Sequence, residues 1–342
     1  MAKRSVLTLV LVAVLAAMTG AVTLIIATRE PAYENPVLAN DAPDPSVIRA
    51  SDGSFYAYTT QSYHGARFLN LPILRSTDLI TWSLVGDAFP ERPDWVVPGS
   101  DHGDVWAPHI TEWNGTYHLF YSARSLELGN MAIGVATSQS PTGPFEDRGS
   151  PLVTGDRGYE AIDPFAWQTP DGTKYLYWGS DQAPIRAQEL SPDGMDLVGE
   201  PVDLLSPLAS QEYEGLIEGA WMMRNGQHYY LMYSGGACCG PEAHYAVLVA
   251  RGSSPLGPFE RYAANPILEA NEEFNAPGHH ATIRDDAGQD WIVYHAMDRD
   301  DITNVRFMFL DRIEWVDGWP VVNEGNGPSS EFDDAPVVED TT

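Results

Sequence analysis

A chain of 342 residues leaves room for one large β domain or two ordinary ones. Its formal net charge of -29 excludes nucleic acid and anionic membrane surfaces as partners, since both would repel it at long range; a neutral polar ligand is the easier fit. Trp, Tyr and Phe are abundant, long 3.6-periodic apolar runs are missing, and Gly, Pro, Asp and Asn punctuate short apolar stretches, which predicts an all-β protein.

In chain order, Lys3 and Arg4 precede an uncharged, mostly apolar run from Ser5 to Thr28, the order of a secretory signal. The run is also long enough to span a bilayer, with Thr19-Gly20-Ala21 as a weak cleavage candidate and no lipid-accepting cysteine. Residues 1–28 are therefore read as a signal peptide or an uncleaved signal anchor, and 29–40 as a linker. In either case the remainder is expected to be extracytoplasmic, secreted or anchored, and the membrane is met through this segment alone.

From Asp44 onward one unit returns five times: an extended start, a Gly turn, then an aromatic-rich strand. The units are "DPSVIRASDGSFYAYTT", "WAPHITEWNGTYHLFYSA" from Trp106, "DPFAWQTPDGTKYLYWGS" from Asp163, "EGAWMMRNGQHYYLMYSG" from Glu218 and "HHATIRDDAGQDWIVYHA" from His279. Their turn glycines, Gly53, Gly115, Gly172, Gly226 and Gly288, are 54 to 62 residues apart, room for about four strands and their turns. No such unit buries its faces alone, so residues 41–323 are predicted to form a single five-bladed β-propeller. "SPTGPFE" and "SPLGPFE" supply proline-braced turns between third and outer strands, with the Phe returning to pack the blade. Proline restricts the residue before it, so Asp44 and Asp163 are expected to be extended; a turn-capping aspartate is the alternative reading. The two cysteines, Cys238 and Cys239, are adjacent, and an oxidising compartment permits a vicinal disulfide; a buried reduced pair or an intermolecular link is the alternative. Without a second Cys pair, zinc is not expected. The Gly-, Ser- and acid-rich stretch 324–342 reads as a disordered tail.

Counted back from the turn glycine, Asp44, Trp106, Asp163 and His279 stand nine residues before it, and Glu218 and His280 eight. With the first strand of each blade innermost, these positions ring one end of the axis. Three carboxylates, an indole and imidazoles then converge on one shallow pocket. Crowded carboxylates push at least one pKa upward, which keeps an acid protonated at neutral pH. Glycoside cleavage needs that division: one carboxylic acid protonates the leaving oxygen while another carboxylate attacks the sugar or activates water.

Six stretches, "NDAPDPSVI", "VWAPHI", "AIDPFAW", "IEGAWM", "GHHATI" and "FLDRIEWVDGWPVV", stand in an order and spacing that resemble glycoside hydrolase family 43. These are inverting arabinanases, arabinofuranosidases and β-xylosidases on five-bladed propellers. The resemblance covers about residues 33–330. It implies Asp44 as general base, Glu218 as general acid and Asp163 as the residue that tunes and orients Glu218. It further implies Trp106 as a pocket-wall aromatic and Arg306 as a fifth-blade arginine reaching the active centre. For these the residue-level alternatives are a core indole and a strand-edge arginine. Trp221, one alternation beyond the acid, is a second aromatic for a sugar face, with core packing as its alternative. His279 matches, better than His280, the family's axial histidine, which in many members helps hold a calcium or similar ion largely through water; the alternative is a hydrogen-bonded core histidine. No organic cofactor is implied. Glu160 and Glu214 read as solvated acids. The Cys238-Cys239-Gly240 insertion falls where the fourth blade's first hairpin should turn toward the pocket, where a disulfide would shape a subsite.

The resulting expectation is an extracytoplasmic, monomeric hydrolase of α-L-arabinofuranosyl linkages in arabinan or arabinose-containing polysaccharide. The alternatives are a β-xylosidase or galactofuranosidase of the same family, or a non-catalytic sugar-binding propeller. The retaining fructosidase relatives are disfavoured, because their Asn-Asp-Pro-Asn nucleophile signature is replaced by Ala42-Pro43-Asp44-Pro45.

Overall fold

Five antiparallel sheets follow one another in the computed structural model, which describes residues 32–98, 104–155, 158–300, 305–332 and 334–339. Each is a meander paired in sequence order. Blade 1 is Ser46–Arg49, Phe55–Tyr58, Pro72–Ser76 and Ser83–Asp87; blade 2 is Val105–Trp113, Thr116–Arg124, Met131–Ser138 and Glu146–Asp147, with Val153–Thr154 also on its third strand. Blade 3 is Phe165–Gln168, Lys174–Trp178, Ile185–Leu190 and Leu197–Leu205, and blade 4 is Ile217–Asn225, His228–Ala237, His244–Gly252 and Phe259–Arg261. Blade 5 closes the set with Phe274–Arg284, Asp290–Asp298, Phe307–Val316 and Trp319–Val322. Apart from one 3₁₀ turn at Asn323–Gly325, no helix occurs among the described residues. The fold is thus an all-β five-bladed propeller.

The repeated glycines have a backbone cause. Gly53, Gly115, Gly172, Gly226 and Gly288 all adopt left-handed φ, from +60° to +94°, in the turn between first and second strands, a region a side chain disfavours. Each second strand carries a fully buried tyrosine toward its end, Tyr58, Tyr121, Tyr177, Tyr233 or Tyr294, and that of blade 4 adds Tyr230. Two of these lock neighbouring blades together. Tyr58 donates its hydroxyl to the Pro141 carbonyl and Tyr177 to that of Pro255 at 3.1 Å, both prolines lying in the Ser-Pro-x-Gly-Pro-Phe turns of the following blade. Phe145 accordingly packs edge-on against Tyr58 at 6.0 Å, across the blade boundary as well as onto its own sheet.

The ring is closed in part by residues outside the predicted 41–323 span. Tyr33–Glu34 pairs with Glu331–Phe332, Leu38 bridges Met308, and the Ala42 amide donates to the Arg306 carbonyl at 2.9 Å. Described residues of the supposed linker and tail are therefore integral to the fold, which corrects both readings. Phe332 stacks on Tyr33 at 5.7 Å, and the Val337 amide donates to Asp285 Oδ2 at 3.0 Å. These apolar and backbone anchors hold an acidic stretch that composition alone reads as disordered. The signal or anchor segment, residues 1–28, lies outside the described residues.

Candidate active site

Near the start of each first strand an equivalent residue takes a left-handed φ, Asp44 (+54°), Ala107 (+46°), Asp163 (+59°), Gly219 (+60°) and His279 (+41°), and blade 5 has a second at Ala276 (+48°). Asp44 and Asp163 are thus not extended, despite the prolines that follow them. Tertiary hydrogen bonds override the local preference, and a strained φ of this kind costs about 1–3 kcal/mol. In four of the five positions the amide donates to a side chain at the end of the preceding blade's second strand. Asp44 donates to His295 Nδ1 at 3.1 Å, Ala107 to Thr60 at 2.7 Å, Asp163 to Ser122 at 3.0 Å and His279 to Ser234 at 2.8 Å. The fifth junction departs: Gly219 donates to Asp163 Oδ2 at 3.0 Å, which frees the equivalent hydroxyl, Ser180, to donate to Glu218 Oε2.

This ring corrects the alignment by residue counting. From the left-handed residue to the turn glycine there are nine residues in blades 1, 3 and 5, eight in blade 2 and seven in blade 4. Glu218 and Trp106 each precede the left-handed position rather than occupy it, and register irregularities follow both. Carboxylates hold two of the five equivalent positions, and the third acid reaches the pocket from the neighbouring one.

All three acids are buried, and each meets different partners. Asp44 Oδ2 accepts from Thr60 Oγ1 at 2.6 Å, and Oδ1 lies 3.1 Å from Arg306 and 3.2 Å from His295 Nδ1. Burial alone would raise the Asp44 carboxyl, yet Arg306 and then the two histidines hold it well below the usual carboxylate range. Burial also lowers His279, and lowers His295 to about 4, so both are neutral near pH 7 and the Arg306 guanidinium is the cation that keeps Asp44 ionised. Asp163 is pushed well above its ordinary value by burial and by the Glu218 and Asp44 charges. Glu218 is also raised, by burial and by Asp44, against hydrogen bonds from Ser180 and from Tyr245, whose hydroxyl donates to Oε1 at 2.7 Å. A carboxyl held low and two carboxyls raised therefore share one site, the separation that acid–base work on a neutral substrate requires.

The acids open into a cavity of about 470 Å³, within the range of small-ligand sites. Trp106 and Arg306 line it, as the sequence predicts. Tyr159, not singled out from sequence, stacks on Trp106 at 5.8 Å and is exposed. Cys238 and Cys239 are disulfide-bonded and line the same cavity, but from the loop joining the second and third strands of blade 4, not from its first hairpin. Trp221 is not in the wall. It packs between Phe165 at 4.6 Å and His109 at 5.4 Å and donates Nε1 to Thr282 at 2.8 Å, so its alternative reading as a core residue is the correct one. Glu160 and Glu214 are buried rather than solvated: the first pairs with Arg186, and the second with Arg261 at 2.8 Å and the Tyr233 hydroxyl at 2.9 Å.

His279 Nδ1 lies 3.6 Å from both Asp44 and Asp163, so it faces the carboxylates. Its neighbour His280 is buried with neither ring nitrogen hydrogen-bonded, and His295 Nε2 is likewise unpartnered. Among the described residues no group of three or more His, Cys, Asp or Glu side chains is placed to hold a metal. The donor set thus fits an ion coordinated mostly by water with a single imidazole; of the two imidazoles with an orphaned nitrogen to give, His280 has both ring positions free of a partner and His295 only Nε2.

Thr60, Ser122, Ser180, Ser234, His295 and Tyr245 are the site residues that sequence reasoning missed. Five of them had a signal: each repeat carries a hydroxyl or imidazole one to three residues after its second-strand tyrosine, in "YTT", "YSA", "YWGS", "YSG" and "YHA". Tyr245, on the third strand of blade 4, had none.

Comparison with known proteins agrees with this geometry. The model for "Glycosyl hydrolases family 43" matches residues 33–320. A xylan 1,3-beta-xylosidase from a Vibrio species is 29% identical over 88% of this chain, which spans 59% of that enzyme's length. A probable arabinan endo-1,5-alpha-L-arabinosidase A from Aspergillus flavus is 28% identical, covering 85% of this chain and 94% of its own. The crystal structure of a thermostable family-43 glycoside hydrolase superposes with a TM-score of 0.76 at 28% identity, over 90% of this chain and all of the other. With the family model covering most of its length and the buried acids in one cavity, this chain belongs to glycosyl hydrolase family 43 and is a glycoside hydrolase.

Proposed function

We propose that the protein is an inverting hydrolase of α-L-arabinofuranosyl linkages in arabinan or arabinose-containing polysaccharides. The observation that carries this is the unequal treatment of the acids. Asp44 is held as an anion by Arg306 and Thr60, while burial and the Asp44 charge raise Glu218 above its ordinary value against the hydroxyl donors beside it. In this reading Asp44 takes a proton from a water that attacks the anomeric carbon, and Glu218 delivers its proton to the departing oxygen. Asp163, raised together with Glu218, keeps the acid charged with its proton and orients it through the Gly219 amide. Trp106 and Tyr159 offer apolar faces to the sugar ring.

A β-xylosidase is the second reading, favoured by the Vibrio relative. Incubation with arabinan, xylan and aryl glycosides of both sugars, with products followed by anomeric NMR, decides between them. Release of arabinose or arabino-oligosaccharides with inverted configuration is expected. A retained anomer, or turnover of xylosides alone, overturns the mechanism or the substrate respectively. We further propose that the protein works outside the cytoplasm as a monomer, and that His280 holds a water-rich cation, calcium or similar, supplying positive charge and rigidity to the axis rather than taking part in bond cleavage.

A further inference from the structure

We propose that the Cys238–Cys239 disulfide is the wall of the leaving-group subsite, presenting an apolar, polarisable face to the neutral sugar on the acid's side of the scissile bond. This rests on the hydrolase reading above and adds to it a binding surface. The pair directly follows the strand His228–Ala237, in which Gly235 and Ser234 are the partners of Ile217 and Glu218. The disulfide therefore rises from the strand beside the acid, and it lines the cavity together with Glu218 and Leu216. Because the acid protonates the departing oxygen, what stands beyond it meets the sugar that leaves.

The two halves of the disulfide differ in setting. Cys238 is half-buried against Ala243, Tyr245, Ala276 and Met297, so it is anchored beside the tyrosine that hydrogen-bonds Glu218. Cys239 is exposed at the cavity. A fixed, weakly hydrogen-bonding sulfur surface suits the C–H face of a sugar, and its rigidity spares the ordering cost that two mobile side chains would carry. A role as a stability staple is disfavoured by the topology: a bond between adjacent residues closes no loop, so it removes little freedom from the unfolded chain.

The test compares an arabino- or xylo-oligosaccharide, whose leaving group is a sugar, with the glycosyl fluoride of the same sugar, whose leaving group is one atom. Three proteins are assayed: the wild type, the wild type reduced with a phosphine, and the Cys238→Ala/Cys239→Ala variant. Opening or removing the disulfide is expected to lower the ratio of kcat/KM for oligosaccharide over fluoride by about tenfold, the scale of one lost apolar pocket contact, mostly through KM. If the double variant fails to fold, reduction of the wild type carries the comparison. An unchanged ratio overturns the proposal, as does alkylation of two free thiols in protein isolated without reductant. A wild type that turns over neither oligosaccharide nor fluoride overturns instead the hydrolase reading on which the proposal rests.

Discussion

Replacing Tyr245 by Phe removes one oxygen from the site and leaves its shape intact. The ring is held on one side by Gly278, where a Cβ would come within 2.1 Å of it, and stacks on His295 with an interplanar angle of 6°. The lost hydroxyl donates to Glu218 Oε1 at 2.7 Å, a bond that favours the ionised acid. A hydrogen bond to a charged group contributes about 1.5–3 kcal/mol and one to a neutral group about 1 kcal/mol, so the anion loses about 0.5–2 kcal/mol more than the acid does. At about 1.4 kcal/mol per unit, the Glu218 pKa should rise by about 0.4–1.5 units. The acid works while protonated, so the alkaline limb of kcat/KM against pH should move upward by that amount, and activity should persist to higher pH. Ser180→Ala should move it the same way, having lost the donor to Oε2. The profiles are measured on an unactivated oligosaccharide, where proton delivery is needed. An alkaline limb that stays in place or moves downward in both variants, with the proteins still folded, would refute the assignment of Glu218 as the acid.

Glu218→Gln should abolish cleavage of natural oligosaccharides while sparing much of the activity on a dinitrophenyl glycoside, whose phenolate departs with little help; equal losses on both would reverse the roles. Asp44→Asn should depress both substrates alike by several orders of magnitude, since both need the activated water; leaving-group dependence there would count against Asp44 as the base. Arg261→Met should strand the buried Glu214 carboxylate and lower stability by about 2 kcal/mol or more, read as a shifted urea midpoint; an unmoved midpoint would mean that Tyr233 alone satisfies it. A chelator should lower the melting temperature and His280→Ala should abolish that response, because an ion bound only by the folded state stabilises it by mass action. Melting curves unaffected by chelator would remove the ion from His280.

The sequence alone was sufficient for the architecture and for naming three acids that meet in one cavity. Five left-handed turns demand five glycines at even spacing, and the aspartates and glutamate stand at strand starts that any propeller gathers at one end of its axis. It was not sufficient for the register of that gathering. First strands of unequal length bring Glu218 and Trp106 in one position before the left-handed residue, and counting cannot see such irregularities. Nor did it reveal that Asp44 and Asp163 are left-handed, because that conformation is imposed by amides bonding to side chains of the preceding blade, far off in the chain. The acidic C-terminal stretch reads as disordered by composition and is ordered by pairing with the other end of the chain. The protonation of the acids is likewise a tertiary property. It follows from burial and from Arg306, Ser180 and Tyr245, which three different blades bring to carboxyl groups that are chemically ordinary in the unfolded chain.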